Sequence, residues 1–123
     1  MLIVDDDGAT REAFALILAL EGYRVQTACD GLDALERLRS GERPGLIVLD
    51  LMMPRMDGCQ LLHRLAADEE LADVPVVVCT ASGRACRKPF PTPPAGLLEK
   101  PVEPAQLVAV VRHALRSSVI RQQ

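Results

Sequence analysis

Four short apolar runs in this chain each stop at a chemically competent group. Leu2-Ile3-Val4 runs into Asp5-Asp6-Asp7, Leu46 to Leu49 into Asp50, Val76-Val77-Val78-Cys79 into Thr80, and Leu97-Leu98 into Glu99-Lys100. Runs of this length read as fully buried strands of a parallel sheet. In open α/β sheets ligands bind in the crevice beyond the carboxyl ends of the strands. The chain is therefore expected to build one polar site. Several carboxylates, one lysine and one hydroxyl suit a divalent cation and a phosphoryl group, not an apolar ligand.

Between the runs lie segments of helical period. The spacing predicts a helix over 10–21, with Thr10 as its cap, Ala13, Leu16, Ile17 and Leu20 facing the core, and Gly22 as its stop. Residues 24–28 alternate polar and apolar, with β-branched Val25 and Thr27, and read as a short, more exposed strand. A second helix carries Leu32, Leu35 and Leu38 until Ser40-Gly41 and Pro44-Gly45 break it. Asp57-Gly58 opens a third, with Leu61, Leu62 and Leu65 inward, which fades at Asp68-Glu69-Glu70. A last helix runs from Pro104 to about Arg116 with Leu107, Val108, Val111 and Leu115 inward, followed by a polar tail, 117–123, expected to fray. This alternation is the signature of an α/β, doubly wound parallel sheet. One segment departs from it: Pro89, Pro91, Pro93 and Pro94 leave room for a turn or two near Arg84 to Lys88 where a helix between the last two strands is due.

Size and charge narrow the function classes. A chain of 123 residues is one modal domain, so residues 1–123 are read as a single unit. Aromatic content of 2% disfavours base stacking, and a formal charge of −3 with pI near 5.3 gives no field for a phosphate backbone, so no direct nucleic-acid partner is expected. The longest apolar stretch, Ala13 to Leu20, is far short of a membrane span, and the N-terminus shows no positively charged leader. A cytoplasmic protein is expected. Cys29, Cys59, Cys79 and Cys86 form no C-x-x-C pair and have no histidine at zinc spacing, so reduced thiols are expected, Cys79 buried. His63 and His113 each lack a second ligand at usable spacing and read as structural. Arg84, Arg87 and Lys88 read as a solvated loop, and Pro91-x-x-Pro94 is a minimal proline pattern without further support.

Asp50 is followed by Leu51-Met52-Met53-Pro54-Arg55-Met56-Asp57-Gly58, and this phrase is specific. With VDDD at Val4 to Asp7, CTAS at Cys79 to Ser82 and EKP at Glu99 to Pro101, the sequence resembles the receiver domain of two-component response regulators over nearly its whole length. The resemblance implies a five-stranded sheet of flavodoxin-like order 2-1-3-4-5, with the fourth helix shortened or replaced by the proline-rich loop. It implies that Asp50 accepts a phosphoryl group from a histidine kinase or a histidine phosphotransfer protein. Asp6 and Asp50 would ligate Mg²⁺ directly, Asp5 through water, and the Met52 main-chain carbonyl would add an oxygen. Thr80 and Lys100 would hold the phosphoryl oxygens, Ala81 would keep access open, and the Lys100-Pro101 bond would be cis.

The chemistry accounts for these residue types. A carboxylate is a competent nucleophile toward phosphorus, but acceptor and phosphoryl group are both anionic. At about 4 Å and an effective dielectric near 20 each like-charge pair costs on the order of 4 kcal/mol. Asp5, Asp6 and Asp50 together therefore call for a hard cation, and Mg²⁺ bridges carboxylates and phosphates well. Taken singly the residues have plainer readings: Asp5 to Asp7 as a helix cap, Asp57 as a helix start, Lys100 as a surface lysine.

Two features depart from the family pattern. The position three before the lysine, usually aromatic, is Leu97, and the preceding helix is largely prolines. A modified or weakened conformational response is expected, with an unknown downstream protein as partner. A stand-alone receiver is the simplest organisation. Two rivals remain: a degenerate receiver acting as a constitutive binding module, against which the complete acidic pocket argues, and an aspartyl phosphohydrolase, for which Met52 stands where a general acid would be needed.

Overall fold

The computed structural model describes residues 1–41, 43–53, 56–81 and 90–122, with side chains to residue 117. Five strands form one sheet: β1 (Leu2–Val4), β2 (Gln26–Ala28), β3 (Ile47–Asp50), β4 (Val76–Ala81) and β5 (Gly96–Lys100). They are parallel throughout, in the order β2-β1-β3-β4-β5. Four helices accompany them among the described residues: α1 (Gly8–Leu20), α2 (Gly31–Ser40), α3 (Gly58–Ala67) and α4 (Pro104–Gln122). No helix of the described residues joins β4 to β5, which agrees with the shortened fourth helix read from the prolines; the turn or two placed near Arg84 to Lys88, and the basic residues there, lie outside the described residues. No described helix is long and apolar enough to cross a membrane.

Alternation of side chains along each strand produces two cores. Leu2, Val4, Ile47, Leu49 and Val78 face α2 and α3, meeting Leu35, Leu38, Leu61, Leu62 and Leu65. Ile3, Val48, Val77, Cys79 and Leu98 face α1 and α4, meeting Phe14, Leu18, Leu107, Val111 and Ala114. Both faces of β1 and β3 are covered, which is why their sequences are unbroken apolar runs rather than alternating ones.

Four local expectations are corrected. Helix α1 begins at Gly8, and its cap is Asp7, which accepts from the Thr10 amide and hydroxyl. An acid accepts more strongly than a hydroxyl at the positive end of a helix. The buried face of α1 is Phe14 and Leu18, whereas Ala13, Leu16 and Leu20 are exposed. Because residues 13–20 are apolar all round, their periodicity fits more than one phase; Gly22, at φ 93°, follows the end of the helix as expected. Helix α4 continues through Gln122 rather than ending near Arg116, since residues 117–122 contain no proline or glycine and an established helix propagates at low cost. Finally, Cys29 and Cys79 are free thiols, but Cys59 is disulfide-bonded. Bridging depends on Cα separation in the fold, which sequence spacing does not reveal.

Candidate functional site

Strand register alone assembles the polar residues. Val4 pairs with Leu49, so the next residues, Asp5 and Asp50, emerge side by side. Asp50 pairs with Cys79 and Ala81 with Lys100, which places Thr80 and Lys100 on the same carboxyl edge. Asp5 and Asp50 are buried, with 2% and 4% exposure, Thr80 is buried, and Asp6 is exposed. One carboxylate oxygen from each of Asp5, Asp6 and Asp50 lies within 4.8 Å of the others.

Lys100 closes this cluster. Its Nζ lies 3.0 Å from Asp5 Oδ2 and 3.4 Å from Asp50 Oδ2. The other carboxylate oxygens are held by main-chain donors: the Asp7 amide donates to Asp5 Oδ1 at 2.9 Å and the Met52 amide to Asp50 Oδ1 at 3.1 Å. Burial is the main reason the Asp50 carboxyl is pushed up to about 6, with the Met52 amide and Lys100 opposing and Asp5 adding to the rise. Burial also works against charge on Lys100, yet its contacts with Asp5 and Asp50 outweigh it and raise the ammonium above its usual range. Beneath the site, burial pushes the Cys79 thiol up to about 12, so it is an inert core group.

Thr80, Ala81, Met52 and the Lys100-Pro101 peptide border this centre. Thr80 Oγ donates to the Ala81 carbonyl at 3.3 Å, and Ala81 is exposed at the mouth. Met52 exposes half its surface beside Asp50, and the Lys100-Pro101 peptide is cis. Leu97 stands on β5 with 60% exposure, away from the acids. His63 and His113 are exposed on α3 and α4, and neither joins a metal-competent cluster among the described residues.

Sequence reasoning missed three contributors. Arg11 Nη1 donates to the Asp5 carbonyl at 2.8 Å and so ties α1 to the acidic turn. Its signal was a lone arginine one turn into the helix, indistinguishable from a surface residue. Gly58 and Gly31 are the others. A Cβ on Gly58 would lie 2.5 Å from the Asp50 carbonyl oxygen, and one on Gly31 2.6 Å from the Met56 carbonyl oxygen. These two contacts pin the segment that follows Asp50 against α2 and α3; Gly58 was legible only as a helix start, and Gly31 carried no signal.

Hard oxygen donors in a partly buried, lysine-bridged cluster suit a cation and a phosphoryl group. The response regulator receiver domain model matches residues 1–112. The chain belongs to the response regulator receiver domain family. It is 39% identical over 118 residues to the DNA-binding dual master transcriptional regulator RpaA of a Synechocystis strain, covering 94% of this chain and 48% of that protein. It is 38% identical to the response regulator MprA of Mycobacterium ulcerans, with 94% and 50% covered. This receiver thus spans about half the length of the curated relatives it matches. Among solved structures it is similar to the N-terminal domain of a response regulator/sensory box/GGDEF three-domain protein from Carboxydothermus hydrogenoformans, with TM-score 0.88, 28% identity, and 99% and 98% of the chains covered. A CheY-like receiver from Methanospirillum hungatei superposes with TM-score 0.81 and 28% identity over 99% and 96%.

Proposed function

We propose that this receiver is the phosphoacceptor of a two-component phosphorelay, modified on Asp50 by a histidine kinase or histidine phosphotransfer protein with Mg²⁺, and that the modification switches binding of a downstream protein. The observation that carries the reading is the position of Asp50: buried, joined to Asp5 through the Lys100 ammonium, in a cluster of three carboxylates. The donor set is all oxygen, which fits Mg²⁺: Asp5, Asp6 and Asp50 would hold it, with the Met52 main-chain carbonyl as a further ligand. When bound, the ion neutralises charge between the acceptor and the phosphoryl group.

Asp50 Oδ attacks phosphorus, the P–N bond to the donor imidazole breaks, and that nitrogen leaves with the bonding pair; the product is an acyl phosphate. Lys100, released in part from Asp50, turns toward a phosphoryl oxygen, and the Thr80 hydroxyl donates to another. Ala81 leaves the approach unobstructed, and Pro101 shapes the turn that follows Lys100. Hydrolysis of the acyl phosphate restores Asp50, so the protein is a switch rather than a turnover enzyme. A cytoplasmic location and a single domain over 1–123 complete the reading, and no direct nucleic-acid contact is assigned to these residues. With Leu97 in place of an aromatic, output through a ring that swings is not available, and a weakened response of β5 is expected.

Intact mass after incubation with acetyl phosphate and Mg²⁺ tests the assignment. One added phosphoryl group on the wild type, absent in Asp50→Asn and absent when the ion is chelated, is the expected result. An unmodified wild type would leave a constitutive binding module. Hydrogen exchange with and without beryllofluoride tests the output: ordinary receiver-like protection changes at Leu97 would contradict a weakened response.

A further inference from the structure

The outward face of α1 carries exposed apolar side chains that the phosphoryl site does not use. Phe14 and Leu18 are buried, yet on the opposite side Leu20 is 78% and Leu16 62% exposed, the highest values among the large apolar side chains described. Ala9, Ala13 and Ala19 are exposed beside them. Ala9, Ala13, Leu16 and Leu20 follow one another at spacings of four, three and four, the pattern of a coiled-coil seam. Their order is small, small, large, large. In an antiparallel pair of identical helices with the two-fold axis between positions 13 and 16, Ala9 of one copy opposes Leu20 of the other and Ala13 opposes Leu16. Every large residue meets a small one, in both directions, which is the self-complementarity that an isologous interface requires. Only Glu12 brings charge to the flank of the seam, and Glu21, at its end, is engaged by Arg112 at 2.9 Å.

We propose that α1 pairs antiparallel with α1 of a second copy of this chain, Ala9 and Ala13 receiving Leu20 and Leu16. A single 13-residue helix per copy places the interface at the small end of the size scale, so the dimer is weak and its population follows concentration.

Sedimentation velocity from about 10 µM to about 1 mM covers the range in which so small an interface titrates. The wild type is expected to shift from monomer to dimer across that range. Leu16→Glu and Leu20→Glu should each weaken association at least about tenfold while leaving the thermal melt unchanged, because both side chains are already exposed in the monomer. Ala13→Leu should weaken it too, by setting leucine against leucine, and the exchange Ala13→Leu with Leu16→Ala should restore it, since large again meets small. A wild type that stays monomeric throughout overturns the proposal and leaves the face to a helix of another protein. A dimer indifferent to Leu16→Glu, or an exchange variant that fails to recover, overturns the stated pairing.

Discussion

Asp50 carries a charge that the fold holds at a cost. With its carboxyl pushed up to about 6, the native state keeps the proton more tightly than the unfolded chain does. The sign follows: this group favours folding at low pH, and its contribution is lost as pH rises from the unfolded value near 4 through about 6. Asp50→Asn removes the penalty. In metal-free protein at pH 7.5 the variant is expected to be more stable by about 1 kcal/mol, a value reduced for solvent screening, and the gain should fall to about a third of that near pH 4.5; melts at the two pH values check this. Arg11 acts in the opposite sense to its charge. Loss of the cation in Arg11→Ala would by Coulomb's law strengthen Mg²⁺ binding, whereas loss of its bond to the Asp5 carbonyl loosens the acidic turn. Positioning is expected to win, with stability lower by about 1 kcal/mol and Mg²⁺ affinity reduced, as read by denaturant unfolding and a fluorescence or NMR titration with the ion.

Helix α3 is seated by two devices. Asp57 forms a capping box with Gln60: its carboxylate accepts from the Gln60 amide at 2.8 Å, and the Gln60 side chain accepts from the Asp57 amide at 3.1 Å. Asp57→Ala is expected to cost about 1 kcal/mol in urea unfolding without displacing the helix. Gly58→Ala is a harsher change, since the new Cβ would fall 2.5 Å from the Asp50 carbonyl oxygen and 2.6 Å from Leu51 Cα, both backbone. Destabilisation of about 2–3 kcal/mol and, on the proposed function, a slower reaction of Asp50 with acetyl phosphate are expected together, because the strand end that presents Asp50 must move. The elements also show what sequence could and could not convey. Strands β1, β3 and β4 were legible as buried runs between polar groups, and α3 as a capped helix with Leu61, Leu62 and Leu65 inward. The rotation of α1 was not, because a helix apolar on both sides gives period but no phase. Nor were Gly31 and Gly58 legible as spacers, since close approach is a property of two segments distant in the chain.

At the scale of the whole molecule, the site is legible to the extent that strand order is. Once the runs are laid side by side in parallel, Asp5, Asp50, Thr80 and Lys100 must share an edge; the Lys100 bridge, the Arg11 tie and the Cys59 disulfide depend on side-chain geometry that no run of letters encodes. A cation held by the three clustered carboxylates would link its binding to folding. Mg²⁺ at about 100 times its dissociation constant should raise stability by about 2.7 kcal/mol, and the rise should shrink in Asp6→Asn, whose side chain is exposed and whose removal leaves the fold intact; melts at stepped Mg²⁺ concentration measure both.

The ammonium that joins Asp5 lies 95 residues further along the chain, on β5, the last strand of this sheet in chain order. While a ribosome is still making β5, the acids of β1 and β3 have no lysine between them, and the sheet edge repels itself. Docking of β5 therefore supplies the counter-charge and the fifth strand of the sheet in one event. A chain stopped short of Lys100 would hold Asp50 without the cation that makes its burial tolerable, so premature products should be held open and left to proteolysis.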